Sequence, residues 1–278
     1  MTRLRIPRVW RSPGTAVGLI ICVLMLVIAL FSTNLAPFPA LSQRPLDNML
    51  PPGGAYALGT DILGRDLLSR LMRGATNSLR VAVLAVALAS LAGTAIGLVA
   101  GYAGGLLDTL LMRLVDLLFA FPPLLLALAI VSALGMGAQN TIYAIAIVYL
   151  PIFARVARAP TLVIKTKEYV TAAQAQGAST WRIMLRHVLP NIAAPIIVQI
   201  SLALAWAILL EASLSFLGLG TQPPEPSWGG MLSESRRDME YAPWLAIYPG
   251  AAIMLAVLGF NMLGDGLRDA LDPQLRGT

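Results

Sequence analysis

The sequence predicts an all-α, polytopic membrane protein with six transmembrane helices. Three observations lead there. Of its 278 residues only 12% are charged and 57% are hydrophobic, with a mean hydropathy of +0.74, where soluble domains carry roughly 25% charged residues. Residues 12–43, 81–107 and 117–154 contain no Asp, Glu, Lys or Arg. A helix needs about 20 apolar residues to cross a hydrocarbon core of about 30 Å, and six segments of this chain reach or approach that length.

Composition also excludes function classes. The net charge of +6 and pI near 9.9 would suggest nucleic acid in a soluble protein. Here basic loops beside anionic lipid are the simpler reading. Cys22 is the only cysteine and His187 the only histidine, so an intrachain disulfide and a Cys/His zinc cluster are both ruled out.

The first span is expected over 15–35, after a basic tail (1–14) with Arg3, Arg5, Arg8 and Arg11. A cleaved signal peptide competes, but the apolar run exceeds a typical h-region and no A-x-A site follows. Residues 36–77 form the next segment, opening with Pro37, Pro39, Pro45, Pro51 and Pro52, which suits extended chain. Within it, 61–73 reads as a short helix capped by Asp61, with Leu63, Leu67 and Leu71 on one face. That helix lies along the membrane surface or faces solvent.

A five-span core is expected over 78–266. Its first span, 81–107, carries Ala85, Ala89, Gly93, Gly97 and Gly101 as a ridge of small residues. Such ridges let helices approach closely in lipid, either within the subunit or at a subunit interface. The next span, 107–134, should kink at Pro122-Pro123, and Arg113 and Asp116, one turn apart, can pair. Spans at 140–156, 192–217 and 244–264 follow, then a tail over 267–278. Twelve basic residues fall on the side of the termini, the long loop 159–190 and the residues leading into it (Arg3, Arg5, Arg8, Arg11; Arg155, Arg158, Lys165, Lys167, Arg182, Arg186; Arg268, Arg276) and seven on the other (Arg44, Arg65, Arg70, Arg73, Arg80, Arg236, Arg237), with Arg113 near the boundary. This places both termini inside.

The longest polar interruption in the C-terminal half is 165–191. Small residues and helix formers end at Gly177, which takes the left-handed C′ conformation without strain. Ser179 or Thr180 can cap a second helix, with Trp181, Met184, Leu185 and Val188 on one stripe and Arg182 and Arg186 off it. An interfacial amphipathic loop would look the same. However, Ala172-Ala173, three residues, Gly177, and Leu189-Pro190 twelve positions on resemble the "EAA" coupling motif of ABC importer permeases. The segments YALGTDILGRD (56–66), MRLVDLLFAFP (112–122), SFLGLGTQPPEPSWG (215–229) and FNMLGDGLRDALDP (260–273) resemble the dipeptide/oligopeptide/nickel permease family, in its C-type subunit. The resemblance runs from about 15 to 273. One position departs: Thr171 stands where the motif has Glu, with Glu168 a helical turn earlier.

The resemblance implies a type I ABC importer (MetI-like) permease fold in a bacterial inner membrane. It also implies a second homologous permease, two cytoplasmic ATPase subunits and an extracytoplasmic binding protein as partners, and peptides or related small solutes as cargo. Residues from Lys165 to His187 would dock on an ATPase, through Glu168, Tyr169, Ala172, Ala173, Gly177, Ala178, Trp181 and Arg182. The extracytoplasmic loop 218–243, with Glu225, Trp228, Glu234 and Arg236, would meet the binding protein; a plain solvated connection is the alternative.

No G-x-x-x-x-G-K-[ST] occurs, so a phosphate-cradling loop of the ordinary kind is missing. No cofactor is expected in this chain, and ATP and Mg would belong to the partner subunits. Asp116 and Glu211 are the charges expected inside the membrane, where charge often marks a solute path; structural pairing would explain them as well. An autonomous secondary transporter or channel, and a scaffold without transport, are the rival functions.

Overall fold

The computed structural model describes residues 13–271. Arg3, Arg5, Arg8, Arg11 and Arg276 lie outside the described residues. The chain forms α1 (Pro13–Leu35), α2 (Leu67–Ala103), α3 (Gly105–Phe119), α4 (Pro123–Leu134), α5 (Ala138–Ile164), α6 (Glu168–Ala175), α7 (Thr180–Ile183), α8 (Leu189–Phe216), α9 (Trp228–Ser235) and α10 (Trp244–Leu271). Five stretches are long and apolar enough to cross a membrane: α1, α2, α5, the run from α7 through α8, and α10. The pair α3 and α4, bent by 93°, makes a sixth. Six passes bring the start of α1 and the end of α10 to the end of the bundle that carries α6. The segment 36–66 and α9 cover the other end.

Helices α2, α5 and α8 form the centre, and α1 packs on α10 at the periphery. The ridge of small residues on α2 makes the α2–α5 contact. Ala85 and Ala89 are fully buried, a side chain at Gly93 would meet the Leu150 carbonyl and Phe153, and one at Gly97 would overlap the Ala154 carbonyl. The ridge therefore serves packing within the subunit. Glycines at 18 and 259 do the same between α1 and α10, against Met262 and Ile21.

Two expectations need correction here. Residues 61–73 do not form a separate surface helix. Asp61 instead makes a tight turn, accepting bonds from the backbone N–H groups of Leu63 and Arg65, both at 2.9 Å. Asp66 caps the helix, accepting from Ser69 N at 2.8 Å. From there α2 runs unbroken for 37 residues, so residues 67–77 belong to it and not to an interfacial element. The turn needs its glycines: Gly59 and Gly64 have φ of +84° and +68°, and a side chain at Gly64 would overlap the Arg44 carbonyl.

The second correction concerns the chain after Gly177. One helical run continues from α7 into α8 through a single π-helical turn at Met184–Val188. Pro190 explains the wide turn, because its ring would crowd the Arg186 carbonyl in a regular α-helix. The extra residue also rotates the expected stripe. Ile183, Met184 and Val188 are buried, whereas Trp181 and Leu185 are 65% and 56% exposed.

Candidate functional site

At one end of the bundle, α6 and α7 form a short bridge between α5 and α8. Gly177, at φ +79°, closes α6. Its N–H donates to Gln174 O at 2.9 Å and that of Ala178 to Ala173 O at 3.1 Å, the paired bonds of a Schellman motif. Ser179 then caps α7, accepting from Arg182 N at 3.4 Å. The bridge is anchored from beneath. Val170 is fully buried, and Ala173 and Ala178 pack half-buried on the core. Gln174 Nε2 donates to Tyr102 Oη at 3.1 Å. Lys165 Nζ donates to Gly101 O at 2.7 Å, so this cation satisfies carbonyls at the end of α2.

What this leaves outward is a compact face. Glu168, Tyr169, Thr171, Ala172, Gly177, Trp181 and Arg182 are all exposed. Six of the eight residues singled out from the sequence thus share one exposed surface, and Ala173 and Ala178 hold it down. Glu168 lies in the first turn of α6, where a carboxylate suits the helix dipole. It is one turn from Thr171 and exposed with it.

At the opposite end, α9 is locked onto α2 and α8. The Trp228 side chain is 2% exposed. Its Nε1–H donates to Leu71 O at 3.1 Å and its backbone N–H to Ser78 Oγ at 3.2 Å. Gly74 lies under the indole, and Gly229 against the Ala212 carbonyl leaves no room for a side chain. Trp228, expected on a docking surface, is therefore a core residue, because its large apolar body fills the notch between helices. Ion pairs surround this plug. Arg70, 1% exposed, meets Glu234 at 2.7 Å and Asp61 at 3.3 Å. Arg65 meets Asp61 at 2.6 Å and Glu234 at 3.3 Å. Arg73 grips Glu225 with two bonds of 2.9 and 3.1 Å, aided by Asn77 at 3.1 Å. This clamp holds the Glu225 carboxyl below its ordinary pKa, the Arg73 hydrogen bonds being the largest cause.

Beside the clamp opens a cavity of about 670 Å³, lined among others by Gln222, Glu225, Ser233, Glu234, Arg236 and Asp238. Arg236 lies 5.3 Å over the Phe216 ring. Of the four residues expected to dock a partner, Glu225, Glu234 and Arg236 reach this cavity. The sequence reading missed Asp61, Arg65, Arg70 and Arg73 as a unit, counting the arginines only toward membrane orientation. The signal was there: three arginines within nine residues, facing a loop that holds three glutamates, Glu225, Glu234 and Glu240.

Of the two expected intramembrane carboxylates, Glu211 is fully buried beside Ser78 and accepts from Ser215 Oγ at 2.7 Å. Its carboxyl is enclosed between α2 and α8 and opens on no surface of this chain. Asp116 is half-exposed, but its partner is not Arg113. Arg155 Nη2 reaches Asp116 Oδ1 at 2.6 Å, because α3 lies across α5. A turn away, Arg158 makes two bonds of 2.6 Å to Asp108.

These features define a multi-pass helical membrane protein with a stiff exposed bridge at one end and a clamped cap at the other. Residues 93–277 match the family described as binding-protein-dependent transport system inner membrane component. The chain is 48% identical to the dipeptide transport system permease protein DppC of Alkalihalophilus pseudofirmus, covering 94% of this chain and 86% of that one. It is 46% identical to the glutathione transport system permease protein GsiD of Pectobacterium atrosepticum, over 95% and 87%. A chain of the inward-facing MetNI methionine ABC transporter superposes with a TM-score of 0.60 at 17% identity, covering 73% of this chain and 96% of that one. The last likeness shows a shared fold, the MetI-like permease fold expected from the sequence. The chain belongs to the family of binding-protein-dependent transport system inner membrane components, and is a permease.

Proposed function

We propose that this permease is one of two homologous transmembrane subunits of an ATP-driven importer of di- or oligopeptides or related small solutes such as glutathione. The α6–α7 bridge meets a cytoplasmic ATPase subunit, which places both termini in the cytoplasm and the α9 cap outside, toward a solute-binding protein. ATP and Mg are held by the ATPase subunits. The observation that carries this reading is the bridge itself: a short helix, closed by a left-handed glycine, anchored to α2 and α8 from below and bare on its outer face. A convex helix of this kind fits a groove on a partner. Because α7 continues into α8 without a break, a push on α6 that reaches α7 across the Gly177 turn is delivered along a transmembrane helix. The spans then shift between two states biased by nucleotide and binding protein.

The relatives' dipeptide and glutathione cargo supports small peptides as the solute class. The test is reconstitution of the chain with its gene neighbours in liposomes, with uptake and ATP hydrolysis measured together. Gly177→Pro and Ala173→Glu are expected to leave insertion intact, keep ATP hydrolysis, and lose uptake. Normal uptake by both variants, or ion-driven flux through the chain without ATPase subunits, would overturn the proposal.

A further inference from the structure

Two features that lipid does not tolerate coincide at the break between α3 and α4. Helix α3 has 15 residues and α4 has 12, each short of the about 20 needed to cross the membrane, so the 93° bend lies within it. Residues 120–125 are exposed. Pro123 has no N–H to offer the Phe119 carbonyl, the Leu118 carbonyl takes only a long 3.5 Å bond from Phe121 N–H in place of one from Pro122, and the first N–H groups of α4 have no partner within the helix. Irregular backbone at this depth persists only where protein buries it or water reaches it.

The second feature is charge. The Asp116 and Arg155 side chains are 55% and 49% exposed although both lie on spanning helices. The Arg155 guanidinium lies 4.2 Å over the Phe119 ring, and Asp116 O receives the Ala120 N–H that ends α3. Ion pair and broken backbone are therefore one continuous surface. Ionised side chains in a membrane face water or each other, and these two pair while each stays about half exposed.

We infer that this surface is a receiving site for a zwitterionic solute inside an aqueous pathway. It rests on the peptide-importer reading above and adds the groups that recognise the cargo. Asp116 and the carbonyl end of α3 present negative charge to an α-ammonium group. Arg155 and the N-terminal end of α4 present positive charge to a carboxylate, the guanidinium as a two-pronged donor. Phe119 holds the guanidinium in place. Without solute the two side chains satisfy each other, and solute exchanges one ion pair for two.

The test uses the complete transporter carrying Cys22→Ala, which removes the chain's only cysteine, together with Phe121→Cys at the break. A charged, membrane-impermeant thiol reagent is applied with and without dialanine, S-methylglutathione (whose blocked sulfur cannot consume the reagent), or dialanine blocked at both ends. Labelling is expected in at least one of the nucleotide-free and nucleotide-trapped states. The free peptides should slow it, about tenfold at ten times the dissociation constant, and the blocked peptide should not. Protection should vanish with Arg155→Gln and return with Arg155→Lys. No labelling in either state means that a second subunit seals the break, and overturns the site. Equal protection by blocked peptide, or protection unchanged in Arg155→Gln, overturns it too. ATP-dependent peptide uptake by the Cys22→Ala parent separates these failures from failure of the importer reading.

Discussion

Arg70 on α2 and Glu234 on α9 are 164 residues apart in the chain and 2.7 Å apart in space. Arg70 is almost wholly buried, and Asp61 is its second partner. Glu234→Ala leaves that guanidinium with Asp61 alone. The expected loss is about 1–3 kcal/mol, moderated because the Glu234 side chain is 39% exposed. Arg70→Ala should cost more, since it leaves Asp61 and Glu234 facing Arg65 alone. Thermal unfolding of the purified protein in detergent checks the order.

Acid should loosen the cap by way of Glu225. Its folded pKa lies below the ordinary 4.5, chiefly through the Arg73 hydrogen bonds. A depressed carboxyl contributes stability in full above the unfolded value and loses it as the pH falls through the folded one. The melting temperature should therefore drop between the wild type and Glu225→Gln at neutral pH, and the gap should narrow as the pH falls below the ordinary 4.5 and through the lower folded pKa. A constant difference down to pH 3 would count against the clamp.

Two tryptophans at opposite ends should behave in opposite ways. Trp228 is 2% exposed and Trp181 65% exposed. Trp228→Ala should cost about 3–5 kcal/mol by emptying the notch under α9. Trp181→Ala should leave melting unchanged and lower ATP-coupled uptake. Measuring melting and uptake on both variants distinguishes a packing residue from a contact residue.

Gly97→Leu should separate α2 from α5, because even a methyl at this position overlaps the Ala154 carbonyl. Overpacking costs about 1–3 kcal/mol, and here backbone has to move. The same change at Gly105, where a side chain would meet nothing within 4 Å, is not a matched control because its φ is +57°. Leu91→Phe, on the exposed face of α2 at 72% exposure, is the better comparison and should be tolerated. Yield of monodisperse protein by gel filtration reads the difference.

Much of this was legible in advance because membranes enforce simple rules. Uncharged runs of spanning length mark helices, Gly177 ends one, and Pro122-Pro123 breaks one, each from a property of the residue itself. The stripe through Trp181 and Leu185 was misplaced because a π-turn adds one residue to the local period, and periodicity assumes a regular helix. Asp61 was misassigned as a cap since an acidic residue before a leucine pattern fits a tight turn equally well, and only the bonds to Leu63 and Arg65 N–H tell them apart.

Sequence alone thus determined the all-helical membrane class, the number of passes and the bridge that ends at Gly177, because hydropathy and backbone freedom are local. Tertiary structure decided which faces meet. It put the Gly93–Gly97 ridge against α5 and not a second subunit, buried Trp228, sealed Glu211, and gave Asp116 to Arg155 in place of Arg113. Those outcomes depend on where helices cross, and crossing is set by packing between residues 39 to 164 positions apart, about which no local pattern carries information.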